Sequence, residues 1–569
     1  MPQLPYRAAA RALASCLCVL CFGVSPTAHA QRITVNADDY QQAFEGVGSS
    51  IPLFLARHFV DLSEAGKQEA LDLIVRDNNL LCLQDYPEFR LDDPQAINND
   101  YYTRRVQYLQ AARAIRPELL LSQTFSIFPA DLRTSTVVNG ETVTHLDTER
   151  AGIYDEVAQW YFETLKFYND NGLPMEVVNL VNEPDFIVRR YGYGTDARRG
   201  TAELFTQGVD KMRALIDAAN AAGDSIPQPR IMGPSTIGPR GAVGFLTYYK
   251  QNYPAAFDNI DIVSYHQYGE GGVGPPLATV TRLAEGKPVW QSEMHTNRGD
   301  DLGTLPGIST LATGHRGVLS LAQLMTESLN AGANAWFYFL NIHPGPNPGL
   351  LLVSGQNPRP QPWPHYYAFR QIGSAQPMGA RVLTRRLASI RSDGDVLALR
   401  EEGADTVYVH YANYTGSARD VELEVVDASG DAYPLRAIGQ RITDADSDDE
   451  DTGFVDAGGA ASRTVTVGPY SLNTFTVAIG GTSGLSPKPA TPPPFTAHQA
   501  GGEVVVQLED GFETETVRLA EVSGRVMVQQ AVGTGEREVR LAARALVPGV
   551  YLVSARTRRG WETVRVSWR

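Results

Sequence analysis

The chain has 569 residues, of which 43% are hydrophobic and 20% are charged, and it carries a formal net charge of −15 at pH 7. This composition is that of a globular protein rather than a disordered one, and the length predicts more than one domain. The acidic excess argues against a nucleic-acid-binding protein, which needs basic patches to neutralise phosphates.

The first 30 residues have the pattern of a secretory signal peptide. Arg7 and Arg11 give a basic start, residues 13–24 are largely apolar, and residues 28–30 (Ala-His-Ala) offer a small-x-small cleavage site. No stretch approaches the ~18 apolar residues of a membrane helix. Only one of the four cysteines, Cys82, follows this segment. We therefore expect an exported protein with no transmembrane helix, no disulfide within the mature chain and a buried Cys82.

Residues 31–365 alternate between short apolar runs and helical patterns. The apolar runs are 44–47, 80–83, 119–121, 177–181, 230–233, 260–265, 289–292 and 335–340. Strands that alternate with helices over ~250 residues or more are typical of a parallel (β/α)8 barrel, and these runs supply eight strands. We therefore predict an α/β fold, a TIM barrel over residues 31–365. Two glycines in the first run, Gly46 and Gly48, indicate a close approach of the backbone to a neighbouring group.

The pattern changes after residue 365. Short alternating strands with Gly, Asp and Ser turns predict an antiparallel β-sandwich over residues 366–479, fused to the side of the barrel. Residues 480–496 are rich in Gly, Ser and Pro and predict a linker. Residues 497–569 alternate again, which predicts a small C-terminal all-β sandwich domain.

Two apolar runs of the predicted barrel each lead to a glutamate. Asn182-Glu183-Pro184 follows the fourth strand, and Glu293 ends the seventh. Because the C-terminal ends of parallel barrel strands converge on one face, we expect both carboxylates on that face. Cleavage of a glycosidic bond requires two such carboxylates. The sequence therefore predicts a glycoside hydrolase.

Four further side chains are candidates for substrate binding at this face. Asn182 is placed to bond a sugar 2-hydroxyl, and His266 and Tyr268 share one side of the sixth strand. Tyr268 can donate to a carboxylate nucleophile and so hold it ionised, and Trp336 can form a stacking floor for a pyranose ring. The alternatives are aromatic packing for His266 and Tyr268 and burial in the barrel core for Trp336. We expect neither a metal nor a cofactor, because His295 and His343 have no third ligand at a recognisable spacing.

These motifs resemble the clan A glycoside hydrolases, and most closely family 30, from about residue 40 to about residue 480. The motifs that carry the resemblance are residues 46–49, 182–184, 264–268, 290–293 and 366–371. The resemblance implies a retaining enzyme with Glu183 as acid/base and Glu293 as nucleophile. It also implies a side sandwich that takes a strand from the N-terminus. Two segments depart from the family pattern: residues 81–86 lack the usual arginine, and residues 122–126 lack a Trp-Ser pair.

The tail from about residue 497 resembles the C-terminal sorting domain of type IX secretion cargo. The matching segments are residues 522–526 (Val-Ser-Gly-Arg-Val) and residues 546–553 (Leu-Val-Pro-Gly-Val-Tyr-Leu-Val). This resemblance implies the secretion machinery as a partner and a location outside the cell or on its surface. A small carbohydrate-binding sandwich is the alternative.

The sequence thus predicts a secreted, monomeric retaining glycosidase that cleaves β-linked polysaccharide or oligosaccharide. A xylanase, a β-1,6-glucanase and a galactanase are all compatible with the motifs. One alternative is a non-catalytic cell-surface glycan-binding protein on a degenerate barrel, which the two altered segments favour. Another is a different clan A glycosidase, such as an agarase-like enzyme. Loops decide between these, and loops are the part of a fold that a sequence pattern specifies least.

Overall fold

The structure, a computed structural model, describes most of the chain after the predicted signal peptide. The described residues are 31–51, 56–138, 140–186, 197–268, 274–295, 316–343, 349–354, 357–388, 393–444, 447–480 and most of 495–568. The predicted signal peptide and most of the predicted linker lie outside these ranges. None of the described helices is long and apolar enough to cross a membrane.

Eight parallel strands close into a barrel. In chain order the strands of this half of the protein are β1 (Gln31–Ala43), β2 (Gly46–Ser50), β3 (Cys82–Asp85), β4 (Leu120–Thr124), β5 (Arg133–Val138), β6 (Glu141–Leu146), β7 (Val177–Asn179), β8 (Arg230–Thr236), β9 (Ile262–His266), β10 (Val289–Glu293), β11 (Ala335–Tyr338), β12 (Ile342–His343), β13 (Leu351–Ser354) and β14 (Asn357–Pro362). The barrel consists of β2, β3, β4, β7, β8, β9, β10 and β11. The predicted TIM barrel is confirmed, whereas the β5–β6 hairpin was not anticipated.

Helices surround the barrel and connect its strands. They are α1 (Ala56–Val60), α2 (Glu64–Leu71) with a π-helical turn (Asp72–Arg76), α3 (Pro94–Asn98), α4 (Tyr101–Ile115), a 3₁₀ turn (Ala130–Leu132), α5 (Ile153–Asp170), α6 (Ala197–Glu203) with a π-helical turn (Leu204–Gly208), α7 (Val209–Ala221), α8 (Pro239–Asn252), α9 (Pro254–Asp258), α10 (Gly274–Leu283), α11 (Arg316–Asn330) and α12 (Pro364–Ser374). Large aromatic side chains on the inner faces of α4 and α5 are buried against the strands. This burial holds the helix layer on the barrel.

The barrel interior changes from apolar to polar along the strands. An apolar layer fills the N-terminal end and consists of Leu81, Cys82, Val177, Met232, Ile262, Trp290, Ala335 and Phe337. Two residues further along four of the strands, the inward positions carry the buried polar residues Gln84, Ser122, Asn179 and Ser264. Because inward positions recur every second residue, one strand builds both layers. The polar layer lies at the C-terminal ends of the strands.

Two sequence expectations about this interior are confirmed. A Cβ on Gly48 would lie 2.6 Å from the ring of Phe337, so glycine is what lets that ring fill the barrel. Cys82 is fully buried, and burial raises the pKa of its thiol to about 12. At neutral pH Cys82 is therefore an inert part of the apolar layer.

The side domain is one continuous sheet that folds over on itself. Its strands are β1 with β15 (Arg381–Ala388), β16 (Gly394–Arg400), β17 (Thr406–Asn413), β18 (Arg419–Val426), β19 (Leu435–Thr443), β20 (Glu450–Ala460), β21 (Ser462–Val467) and β22 (Ser471–Ile479). Their order is β20-β19-β22-β17-β16-β15-β1-β18-β21. Every one of these strands contributes to one apolar cluster, which makes the sheet a sandwich, as predicted. The N-terminal strand β1 lies inside this sheet, as the family resemblance implied.

The tail forms a separate β unit with its own core. Its strands are β23 (Phe495–Ala500), β24 (Glu503–Leu508), β25 (Thr516–Glu521), β26 (Val526–Ala531), β27 (Glu538–Ala542), β28 (Gly549–Thr557) and β29 (Gly560–Trp568). They form a sheet of order β23-β24-β27 and a sheet of order β26-β25-β28-β29. Both sheets contribute to one apolar cluster, so this unit is also a small sandwich.

Candidate active site

The structure brings Glu183 and Glu293 together at the C-terminal end of the barrel. Glu293 ends β10, and Glu183 lies four residues beyond β7. Their exposed fractions are only 6% and 5%. One carboxylate oxygen from each residue and a ring nitrogen of His266 all lie within 4.8 Å of one another. The two strand-end carboxylates therefore share one site, as the sequence led us to expect.

A strained backbone delivers Glu183 to this site. Its φ angle is +48°, in the left-handed region that costs a non-glycine residue about 1 kcal/mol or more. A hydrogen bond of 3.0 Å from its backbone N–H to the carbonyl of Ser235 holds this conformation. Pro184 follows directly and cannot donate to a strand ladder. The chain thus leaves the barrel immediately after placing the Glu183 carboxylate inside it.

His266 connects the two carboxylates. It ends β9, is fully buried, and its Nδ1 lies 3.0 Å from Oε1 of Glu183 and 3.9 Å from Oε1 of Glu293. Burial by itself lowers the pKa of His266, but the charge of Glu293 and the hydrogen bond and charge of Glu183 outweigh it, so the pKa is raised. The two carboxylates therefore favour the protonated form of the imidazole.

Two tyrosines hold Glu293 from opposite oxygens. Tyr86 donates its hydroxyl to Oε2 at 2.7 Å, and Tyr268 donates to Oε1 at 3.1 Å. Burial and the charge of Glu183 raise the pKa of Glu293, whereas the charge of His266 and the two phenols act in the opposite direction. The structure thus brings Tyr268 to the carboxylate to which the sequence assigned it.

Tyr86 is a site residue that the sequence reasoning missed. Residues 81–86 attracted attention only because an arginine is absent there. The alternation of side chains along the strand could have indicated it. Gln84 points into the barrel, and Tyr86, two residues later, lies on the same side. Among the described residues, no arginine or lysine forms an ion pair with Glu293. In this segment, which lacks the arginine usual in the family, the group that contacts Glu293 is a phenol.

Asn182 directly precedes Glu183 in the chain. It is half-buried, and its Oδ1 has no hydrogen-bond partner among the described residues. A buried acceptor without a partner costs free energy unless a ligand or water satisfies it. Asn182 therefore remains a candidate to bind a substrate hydroxyl.

The prediction that Trp336 forms a stacking platform is wrong. Trp336 is fully buried, its indole N–H donates to Oε1 of Gln267 at 3.0 Å, and its ring packs near Phe369 of α12. Neighbouring strand residues point to opposite sides, so Phe337 faces the barrel interior and Trp336 faces the helices. Phe339 is a half-buried aromatic residue near the site, and its ring centroid lies 5.6 Å from that of Tyr86.

The cluster of Glu183, His266 and Glu293 also has the spacing of a cation site. The donor set argues for another use, because the O–H groups of Tyr86 and Tyr268 point protons at both oxygens of Glu293. Each hydrogen bond uses one of the lone pairs that a bound ion would need, so the two phenols weaken Glu293 as a metal ligand. The expectation that no metal is required stays a prediction.

Comparison with known proteins gives the fold and not the family. No protein-family model and no curated protein matches this chain. The structure is similar to a GH30 endoxylanase from Clostridium papyrosolvens C71, with a TM-score of 0.60 and 16% identity over 79% of this chain and 100% of that one. It is also similar to the catalytic domain of GH30 xylanase C from Talaromyces cellulolyticus, with a TM-score of 0.61 and 16% identity over the same shares. A third similar structure is the endo-β1,6-glucanase BT3312, with a TM-score of 0.54 and 15% identity over 79% of this chain and 94% of that one. Identities this low establish a TIM barrel with a side β-sandwich and no more.

Proposed function

We propose that this chain is a retaining glycoside hydrolase that cleaves β-linked saccharides with Glu293 as nucleophile and Glu183 as acid/base. The separation of the two carboxylates carries the proposal, since oxygens of the two groups lie within 4.8 Å of each other. Retaining enzymes place the two carboxyl groups ~5–5.5 Å apart, whereas inverting enzymes need ~6.5–9.5 Å to admit a water. The shorter separation favours direct attack by a carboxylate.

The reaction then takes two steps. In the first, an oxygen of Glu293 bonds the anomeric carbon while the glycosidic bond breaks and Glu183 gives its proton to the leaving oxygen. In the second, Glu183 takes a proton from water, the water oxygen bonds the anomeric carbon, and the electron pair of the ester bond returns to Glu293. The anomeric configuration is inverted twice and so retained.

The proposed mechanism needs a proton on Glu183 and an ionised Glu293 before the first step. Glu293 receives two phenol donors and lies 3.9 Å from the ring nitrogen of His266. Donors that bond the charged form of a group favour that form. The charge of an ionised Glu293 opposes a second negative charge on Glu183, the group that must act first as an acid, whereas His266 at 3.0 Å favours that charge.

The substrate class follows from the mouth of the site and from the structural relatives. Phe339 offers a half-buried ring and Asn182 an unsatisfied acceptor, which suit the apolar face and the hydroxyls of a sugar. The similar structures are named as xylanases and as an endo-β1,6-glucanase. We therefore place β-linked xylan and β-1,6-glucan first among the candidate substrates.

Export completes the proposed function. The basic and apolar start of the chain supports secretion, and the separately folded tail supports a C-terminal sorting domain recognised by type IX secretion machinery. Expression in a type IX-competent cell with and without residues 497–569 tests this, and loss of surface or medium localisation on truncation is the expected result. Unchanged localisation would favour a carbohydrate-binding role for the tail.

A polysaccharide panel tests the enzyme itself. Wild type and Glu293→Gln are incubated with glucuronoxylan, arabinoxylan, β-1,6-glucan, β-1,6-galactan and agarose, and new reducing ends are measured. We expect release by wild type from at least one polymer and a loss of roughly 10³-fold or more in the variant. Proton NMR of the first product should show the β anomer.

Two outcomes would contradict the proposal. An α anomer as first product would make the enzyme inverting and would remove the role of Glu293 as nucleophile. Binding of a polymer by wild type and variant alike, without any release, would support the non-catalytic glycan-binding protein instead.

A further inference from the structure

Tyr86 makes the shorter of the two phenol contacts to Glu293. Its hydroxyl lies 2.7 Å from Oε2, against 3.1 Å for Tyr268 and Oε1. The Tyr86 side chain is 2% exposed. Burial, and then the charge of Glu293, raises the pKa of Tyr86 well above its ordinary value, so the phenol keeps its proton throughout the working range. Tyr86 is therefore a permanent donor to the proposed nucleophile.

A buried network outside the barrel fixes the position of Tyr86. The hydroxyl of Tyr101 donates to the backbone carbonyl of Tyr86 at 2.8 Å. The guanidinium of Arg105 stacks 4.3 Å from the centroid of the Tyr101 ring. Arg105 also pairs with Asp85, the residue directly before Tyr86, and both side chains are almost completely buried. Asp85 accepts a further hydrogen bond of 2.7 Å from Tyr168.

A stability role alone does not account for this network. Replacing a buried ion pair by well-packed apolar residues is often neutral or stabilising, because the desolvation of two charges offsets their attraction. The Asp85–Arg105 pair does, however, fix two neighbouring points at the C-terminal end of β3. One is the Asp85 side chain, and the other, held through Tyr101, is the carbonyl of the next residue, Tyr86. Because these two points are held, the backbone that carries the Tyr86 ring is held in one position relative to Glu293.

We propose that Tyr86 is a catalytic residue that acts chiefly in the second step, and that Asp85, Arg105 and Tyr101 are its positioning residues. This inference rests on the proposed function. In the first step Glu293 loses its negative charge as it bonds the anomeric carbon, so a donor on Oε2 gives no help. In the second step the bond between the anomeric carbon and Glu293 breaks and its electron pair returns to the carboxylate. Donation from Tyr86 stabilises that returning charge.

The test is a comparison of the two steps in Tyr86→Phe. This variant removes one oxygen and keeps the ring that packs against Phe339. The substrate is a dinitrophenyl β-glycoside of the sugar that wild type releases, whose good leaving group makes the first step fast. We expect kcat to fall roughly tenfold or more, KM to fall with it, and a burst of dinitrophenol to appear. Equal losses in kcat and kcat/KM, or no change in either, would overturn the inference.

A second measurement reads the same contact without any substrate. Carbodiimide modification of Glu293 is followed by peptide mass spectrometry as a function of pH, because the reagent activates the protonated carboxyl. Removing a donor to the carboxylate should raise the midpoint by about one pH unit in Tyr86→Phe. Tyr101→Phe should raise it by a smaller amount, whereas a purely structural Tyr101 would lower the melting temperature and leave the midpoint in place.

Tyr102→Phe is the matched control for both measurements. Tyr102 neighbours Tyr101 on α4, but its hydroxyl donates to the carbonyl of Phe89 and not to Tyr86. An unchanged burst and midpoint are expected in this variant. Absence of turnover in wild type would overturn both proposals. Turnover in wild type with an unchanged burst and midpoint in Tyr86→Phe would overturn this inference alone.

Discussion

The two ends of the barrel interior are built from the same strands but from opposite kinds of side chain. At the N-terminal end, rings such as Phe337 and Trp290 fill the space and belong to one apolar cluster. At the C-terminal end, Glu293 and His266 stand within hydrogen-bonding distance of other polar groups. Along one strand, the apolar layer that stabilises the fold and the polar layer that holds buried charged groups are therefore only about two positions apart. Substitutions in the apolar layer should therefore lower mainly the stability, and substitutions in the polar layer mainly the activity.

Glu293→Gln gives the largest expected effect on activity and a small effect on stability. The amide cannot act as a nucleophile, so turnover should fall roughly 10³-fold or more. Its shape is kept and a desolvated charge is removed, so the free energy of unfolding should change by about 1 kcal/mol or less at pH 7. Denaturant unfolding beside the activity assay checks both parts. A large loss of stability would mean that this carboxylate supports the fold.

Phe337→Ala should show the reverse behaviour. The ring is fully buried against Gly48, so truncation leaves a cavity and should cost about 3–5 kcal/mol of unfolding free energy. Phe339→Ala is the matched control, two residues later in the chain, where the ring is only half-buried. It should cost less stability and raise KM, because its ring faces the substrate side. Equal stability losses in the two variants would break the distinction between the two ends.

Features that depend on a single strand could be predicted from the sequence, whereas the direction of side chains in a fully apolar strand could not. Eight apolar runs predicted eight barrel strands, and strand ends predicted where Glu183 and Glu293 would meet, because both depend on the strand alone. Trp336 was misassigned because residues 335–340 are apolar at every position. A strand buried on both faces has no alternation to say which side chain points inward.

Tyr86 and the β5–β6 hairpin escaped the sequence reasoning for different reasons. Tyr86 contacts Glu293, 207 residues away, and the alternation of its strand indicates the side on which it lies but not this partner. The hairpin β5–β6 pairs polar, exposed residues such as Ser135 and Thr144, so it has no apolar period to reveal it. The sequence therefore did not predict long-range polar contacts or polar insertions between the barrel elements.

The difference in stability between wild type and Glu293→Gln should also change with pH. Burial and the charge of Glu183 raise the pKa of Glu293, so the folded protein binds this proton more tightly than the unfolded chain does. Stability from that proton is present at low pH and is lost as the pH rises from about 4.3, the unfolded value, through the folded pKa. Glu293→Gln lacks this loss, so its stability relative to wild type should increase from pH 4 to pH 7. A difference in melting temperature that stays constant with pH would contradict a raised pKa.

Removal of metal should have the smallest effect. Glu183, His266 and Glu293 have the spacing of a cation site, but phenol protons point at both oxygens of Glu293. A bound divalent cation would compete with those phenols for the lone pairs of Glu293 and would neutralise the carboxylate that must attack the sugar. Prolonged dialysis against a chelator should therefore leave the rate within about twofold of its starting value, since the proposed two-carboxylate mechanism uses no metal. Loss of activity on chelation, restored by one added metal, would show that the polar end of the barrel is a metal centre rather than a pair of reacting carboxylates.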